Sequence, residues 1–215
     1  TMGCRTYNGL DINAEPGTNP QTKDGRGNLA PVTIVMPTLA MMAKEAYEKD
    51  LAKEGEDLVI ENVTSRFMTL LDQKIHEARD MLVERFEWMC KQSPESAKFM
   101  YENGVMMGYK PEEGIRSALK HGTLVIGQLG LAETLQILIG KDHTTAEGME
   151  IAKRIEQLFN NKCKTFKELY KLNFGVYYTP AENLCHTAMK KFKAKYGEIP
   201  NVSDHEYFTN SMHVP

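Results

Sequence analysis

The four cysteines, Cys4, Cys90, Cys163 and Cys185, offer thiol chemistry, and none forms a C-x-x-C pair. That spacing argues against a zinc site made of cysteines alone and against a disulfide framework. Reduced thiols in a cytoplasmic protein fit it better. Cys4 is set apart by its neighbour Gly3, which permits backbone conformations closed to other residues. A tight Gly-Cys turn can present one thiol to a reacting partner. The plainer alternative is an incidental buried thiol, the usual fate of a lone cysteine.

Three other places gather polar groups. Asn28 follows Arg26-Gly27; its amide both donates and accepts, but Asn is also common in turns. Thr179, Ala181 and Glu182 flank Pro180 where a helix opens after a strand-like run. Free N–H groups at such a start bind phosphates, and Pro and Glu are also favoured there for local reasons. Asn210, Ser211 and His213 lie in a strand-like segment, where Ser211 and His213 would share a face. They suit a substrate-holding wall, and a structural histidine suits the pattern equally. His76, His121, His143, His186 and His205 show no metal-ligand spacing, so no metal site is expected; Glu133 reads as a buried structural carboxylate.

The elements that must position these groups follow from periodicity. Residues 5–30 are punctuated throughout by Gly, Pro, Asn and Asp, a long loop of the kind that is functional or disordered. Pro31–Met36 reads as a buried strand ended by Pro37, with Thr38 capping a helix to about Glu54 and Gly55 stopping it. Asn62 is expected to cap a seven-turn helix on which Val63, Phe67, Leu70, Leu71, Ile75, Ala78, Leu82, Phe86 and Met89 form one apolar face. Short helices are expected over 94–103 and 111–120. A strand is expected over Gly122–Gln128, followed by a helix from Leu129 to Ile139. Thr144 or Thr145 opens a further helix to about Asn161, with Thr165–Leu172 extending or following it. Phe174–Tyr178 and Tyr207–Val214 are further strand candidates, and Ala181–Tyr196 a last helix. Strands separated by helices imply a mainly parallel α/β arrangement.

Composition sets outer bounds. The 215 residues are 41% apolar and 26% charged, with net charge -3, an ordinary globular balance. It gives no global attraction to nucleic acid or anionic membranes. No apolar run approaches the roughly 18 residues of a membrane span, so neither direct nucleic-acid binding nor a membrane is expected.

Four strings in order carry a family resemblance across essentially the whole chain. Met2-Gly3-Cys4-Arg5-Thr6, with Gly25-Arg26-Gly27-Asn28 leading into Pro31-Val32-Thr33-Ile34, resembles the radical-cysteine loop of anaerobic, glycyl-radical (class III) ribonucleotide reductases. His121-Gly122-Thr123-Leu124 through Gly130-Leu131-Ala132-Glu133 resembles that family's Gly-rich strand-to-helix segment. Thr179-Pro180-Ala181-Glu182 and Phe208–Pro215 resemble its TPAE turn and its TNS-x-HVP strand. One departure is Val35-Met36-Pro37-Thr38, where the family often has Asn-Leu-Pro-Arg, so no Asn or Arg role is carried to those positions.

The resemblance implies a fold and a chemistry. The fold would be part of a ten-stranded α/β barrel with long helices, incomplete as it stands, in which residues 1–30 are the finger loop and 31–215 its strands and helices. The chemistry would be reduction of ribonucleoside triphosphates, with Cys4 as the thiyl radical and Asn28 beside the ribose hydroxyls. Thr179, Ala181, Glu182, Asn210, Ser211 and His213 would hold substrate. No cofactor is implied within these residues: the glycyl radical and a structural zinc would lie in a C-terminal segment outside the chain. A radical activase using S-adenosylmethionine and an iron–sulfur cluster would install the radical, and the whole enzyme would be a homodimer. The reductant, formate or a thiol system, stays open. Two alternatives remain: a glycyl-radical lyase or dehydratase of the same barrel type, and a non-catalytic remnant of the fold.

Overall fold

A computed structural model of the chain describes residues 8–54, 60–180 and 182–210; the side chains of Glu54, Ile60, Glu61 and Glu182 lie outside the description. The sequence expectations for Cys4, Gly55, Ala181, Ser211 and His213 therefore fall on residues outside it. Among the described residues the elements are β1 (Asn28–Val35), α1 (Met36–Glu54), α2 (Ile60–Cys90), α3 (Lys98–Glu102), α4 (Arg116–Leu119), β2 (Thr123–Leu129), α5 (Leu131–Ile139), α6 (Ala146–Tyr170), β3 (Asn173–Tyr178) and α7 (Glu182–Tyr196).

The strands form one sheet in the order β1-β2-β3. Thr123 N, at the start of β2, donates to Gly27 O, just before β1, at 2.9 Å; Thr179 N, just past β3, donates to Gln128 O near the end of β2 at 3.0 Å. Starts lie with starts and ends with ends, so the strands run the same way. Every residue of β2 is buried, as a strand paired on both edges and covered on both faces requires. The chain is an α/β structure.

Two compact units divide it. The first comprises residues 1–32, 77–127 and 160–177, the second 33–76, 128–159 and 178–215. In the first, Phe86, Leu124, Ile126, Phe166 and Phe174 are almost wholly buried. Phe166 and Phe174 meet edge to face at 5.5 Å, and the Arg79 guanidinium covers Phe166 at 5.2 Å. In the second, α1 packs on α5, and Phe192 meets Phe208 edge to face at 5.5 Å.

Several expectations hold. Of the expected stripe on α2, Val63, Phe67, Leu71, Ile75, Ala78, Leu82 and Phe86 are buried, as their three- and four-residue steps demand, while Leu70 and Met89 are half-buried at its margins. Thr145 caps α6, its Oγ1 accepting the Gly148 N–H at 3.1 Å. α6 then runs unbroken through Thr165, whose hydroxyl bonds back to Asn161 O.

Other expectations are corrected. β1 starts at Asn28 rather than Pro31, so the loop ends at Gly27. Pro37 does not end the strand before a Thr38 cap; it sits in the first turn of α1, where its missing N–H is not needed. Asn62 does not cap α2, which begins at Ile60; its amide donates to the Tyr47 hydroxyl at 3.2 Å. The described part of the Tyr207–Val214 candidate, residues 207–210, is not a strand. Its backbone turns instead toward the start of α5, where Gly130 N donates to Thr209 O at 2.7 Å. No helix of the described residues is long and apolar enough to cross a membrane.

Candidate functional site

In the first unit, residues 8–27 have neither helix nor strand, yet they are fastened at many points to the starts of β2 and β3. Asp11 is buried; one carboxylate oxygen lies 2.7 Å from His121 Nδ1, and the other accepts from Asn173 Nδ2 at 3.0 Å and from Asn13 N at 2.9 Å. Asn173 Oδ1 accepts the Ile12 N–H at 3.0 Å, and the Thr123 hydroxyl donates to Asn8 Oδ1 at 3.0 Å. Arg26, also buried, donates from Nε to His121 O at 2.7 Å and from Nη1 to Gly9 O and Thr22 O. Backbone carbonyls thus take up most of a guanidinium with no carboxylate in direct contact among the described residues.

Electrostatics follow the geometry. Burial raises the Asp11 pKa, but hydrogen bonds from Asn173, His121 and the Asn13 N–H outweigh it and hold the carboxyl below its ordinary value. Burial lowers the Arg26 pKa, against the nearby Asp11 charge. A carboxyl depressed in the fold stabilises it above its unfolded pKa of about 3.9, and that contribution is lost as pH falls through the lower folded value. In the whole protein, Asp11→Asn is therefore expected to lower stability by about 2 kcal/mol at pH 7, the order for a disrupted buried charged hydrogen bond. The gap from wild type should begin to narrow as pH falls below about 4 and go on narrowing toward the lower folded value. Thermal midpoints from about pH 2 to 7 check this, and a gap that stays constant over that whole range would contradict it.

Asn28 follows this anchored loop. It is the first residue of β1 and half-buried, and among the described residues its buried Oδ1 has no hydrogen-bond partner. An orphaned buried acceptor is costly and calls for a donor such as a hydroxyl. The simple turn role does not apply, because Asn28 pairs in the sheet. Two residues on, Ala30 has φ +40°, a conformation sparse outside glycine, and its carbonyl accepts from Arg85 Nη1 at 3.2 Å.

In the second unit, Thr179 and Asn210 are both buried. The Thr179 hydroxyl lies 2.8 Å from that of Thr33, and Asn210 Nδ2 donates to Cys185 Sγ at 3.2 Å. Glu133 fastens the segment leading to Asn210: its carboxylate, 1% exposed, accepts from Thr209 N at 2.9 Å and Thr209 Oγ1 at 2.7 Å and meets His205 Nε2 at 3.0 Å. It is the structural carboxylate the sequence suggested. Gly130 must be glycine: its φ is +78°, and a Cβ there would lie 2.3 Å from the Pro37 ring. Nearby, Glu156 Oε1 accepts from Tyr178 Oη and Gln128 Nε2, each at 2.7 Å. Burial, reinforced by Glu156, raises the Tyr178 pKa.

Asn28 thus belongs to the first unit and Thr179 and Asn210 to the second. Two residues missed in the sequence, Asp11 and Asn173, prove central to the loop anchor; together with His121 they meet across 110 and 162 positions, a separation at which no local spacing rule operates. No cluster of three His, Cys, Asp or Glu side chains suited to a metal occurs among the described residues.

Comparison with known proteins defines the class. The family model for anaerobic ribonucleoside-triphosphate reductase matches residues 1–215. The chain belongs to the anaerobic ribonucleoside-triphosphate reductase family. It is 28% identical over 222 residues to the anaerobic ribonucleoside-triphosphate reductase of Salmonella typhimurium, covering 99% of this chain and 28% of that protein. The enzyme of Enterobacteria phage T4 is 29% identical over 216 residues, with 99% and 32% covered. The chain therefore spans roughly three-tenths of these relatives' length. The anaerobic ribonucleotide reductase of Thermotoga maritima, solved in complex with dATP and CTP, superposes with a TM-score of 0.63 at 17% identity, covering 86% of this chain and 27% of that one. Its structure with glycerol in the active site gives the same score, covering 26% of that chain. At that identity the likeness establishes the fold.

Proposed function

We propose that this chain is the segment of an anaerobic ribonucleoside-triphosphate reductase that carries the reacting thiol, within a longer polypeptide completing a ten-stranded barrel. The observation that carries the reading is the family match over residues 1–215, which takes in the Gly3-Cys4 pair and Asn28 together. A glycyl radical elsewhere in the polypeptide, installed by a radical activase, would supply the unpaired electron. Cys4 Sγ would then take the hydrogen from ribose C3′, breaking that C–H bond as an S–H bond of similar strength forms. The protein's share is to position and to exclude water.

Asn28 would face the ribose hydroxyls. Its buried Oδ1, without a partner among the described residues, supports this, since a hydroxyl donor would satisfy it. Thr179, Ala181 and Glu182 would meet phosphates at the start of α7, and Asn210, Ser211 and His213 would line the sugar. The homodimer, the zinc in a C-terminal segment and a cytoplasmic location belong to the same proposal.

Nucleotide binding tests it. The whole enzyme, titrated anaerobically with the four ribonucleoside triphosphates, is expected to bind them, and Asn28→Ala to weaken binding by about tenfold, the order for one well-placed hydrogen bond. A folded enzyme that binds none of the four would move the reading to another glycyl-radical chemistry.

A further inference from the structure

We propose that Asp11 and His121 are positioning residues for the reaction: their buried contact fixes the loop that joins Cys4 to Asn28, and with it both reacting groups. This rests on the reading above. Asp11 lies seven residues after Cys4, and Arg26 lies two before Asn28, so the knot begins within a few residues of one reacting group in sequence and ends directly before the other. Between them the chain has no helix or strand of its own. Its place is set by Asn8, Asp11, Ile12, Asn13 and Arg26, each bonded to residues 120–123 or 171–173 at the starts of β2 and β3.

The network's composition points beyond stability. Buried ionic contacts are weak sources of stability, and well-packed apolar side chains often do as well. What a hydrogen-bonded polar network adds is one geometry in place of several, and here Arg26 Nη2 and His121 Nε2 are its members without a partner among the described residues. The histidine is also tightly held. With Asp11 ionised, Nδ1–H donates to the carboxylate, and Nε2 has no partner among the described residues. Gly108 closes over that edge of the ring: its φ is +76°, and a Cβ there would lie 2.4 Å from Nε2. A partnerless ring nitrogen in a tight seat is a cost the fold carries beside the loop it anchors. A misplacement of about 1 Å in a reacting group can cost two orders of magnitude in rate, so a fixed loop is what the proposed hydrogen transfer needs.

The test compares His121→Ala with His121→Asn in the whole activated enzyme. Asn places its Nδ2 where histidine has Nδ1, so it can still donate to Asp11, while both variants lose the rest of the ring and similar packing. Amide exchange over residues 8–27 and kcat against KM are read well below each variant's thermal midpoint, which is itself the third quantity. His121→Ala is expected to lose exchange protection over 8–27 and to lower kcat by about tenfold to a hundredfold, with KM within about twofold. His121→Asn is expected to recover both protection and kcat while its midpoint stays as low as that of the alanine variant. If kcat tracks the midpoint in both variants, or stays at wild type while protection is lost, the positioning role is overturned. If the wild-type enzyme makes no deoxyribonucleotide, the reading beneath it fails, and the exchange data then report separately whether His121 orders the loop.

Discussion

Cys4→Ser in the whole enzyme is expected to abolish ribonucleotide reduction, with a loss of about 10⁴-fold or more, as when the group doing the bond-breaking chemistry is removed. Serine keeps the size and a hydrogen-bonding hydroxyl, so the loop need not move. What it lacks is an S–H bond of about the strength of the ribose C–H bond: the stronger O–H bond is not converted to its radical by the incoming radical. Nucleotide affinity should stay within about twofold, because a transition-state group has been lost and not a binding group. Anaerobic turnover with each triphosphate, beside equilibrium binding, checks both halves. Turnover that survives would move the reacting thiol to another cysteine.

Glu133→Ala should have the largest structural effect. Three groups converge on that carboxylate, and its removal leaves the Thr209 N–H and hydroxyl without their acceptor beside a new cavity. Each unsatisfied buried group costs about 1–3 kcal/mol, so a loss of about 3–5 kcal/mol is expected. It should be local first: residues 205–210 are held to the start of α5 by Glu133 and by Gly130 N–H to Thr209 O. Amide exchange over 205–210 in the whole protein is therefore the sharper measure. Glu133→Gln, which keeps one acceptor oxygen, should lose less than half as much. Equal, near-zero losses in both variants would show that the carboxylate is not an anchor.

Helices were legible in the sequence because their signals are local. Most of the stripe from Val63 to Phe86 was read from spacing and holds in the structure, and of the two threonines offered as caps, Thr144 and Thr145, the structure uses Thr145. Element ends were less legible, because competing local signals coincide there. Pro37 can end a strand or open a helix, and the apolar residues before it suit both. Asn62 has the side chain of a cap, but a hydroxyl from Tyr47 claims it. Residues 207–210 alternate like a strand, yet Glu133 and Gly130 supply their backbone partners.

The site divides the same way. Asn28, Thr179 and Asn210 were reached through motif strings, and the structure gives Asn28 an orphaned acceptor and buries the other two. Asp11 and Asn173 were not reached. A buried Asp in a Gly- and Pro-rich loop looks like any turn residue until the fold brings His121 to within 2.7 Å of it. Glu133 was legible as a buried carboxylate because it sits in an otherwise apolar helix, but its partners, 72 and 76 positions away, were not.

The most direct measurement is of product. The whole enzyme carrying this chain, activated anaerobically and supplied with a suitable reductant, would be given each ribonucleoside triphosphate in turn and the nucleotides separated. A 2′-deoxyribonucleoside triphosphate, formed by wild type and absent with Cys4→Ser, is the expected result. A radical-bearing enzyme that binds the triphosphates and returns them unchanged, or that acts instead on a small carboxylate or diol, would contradict the assignment.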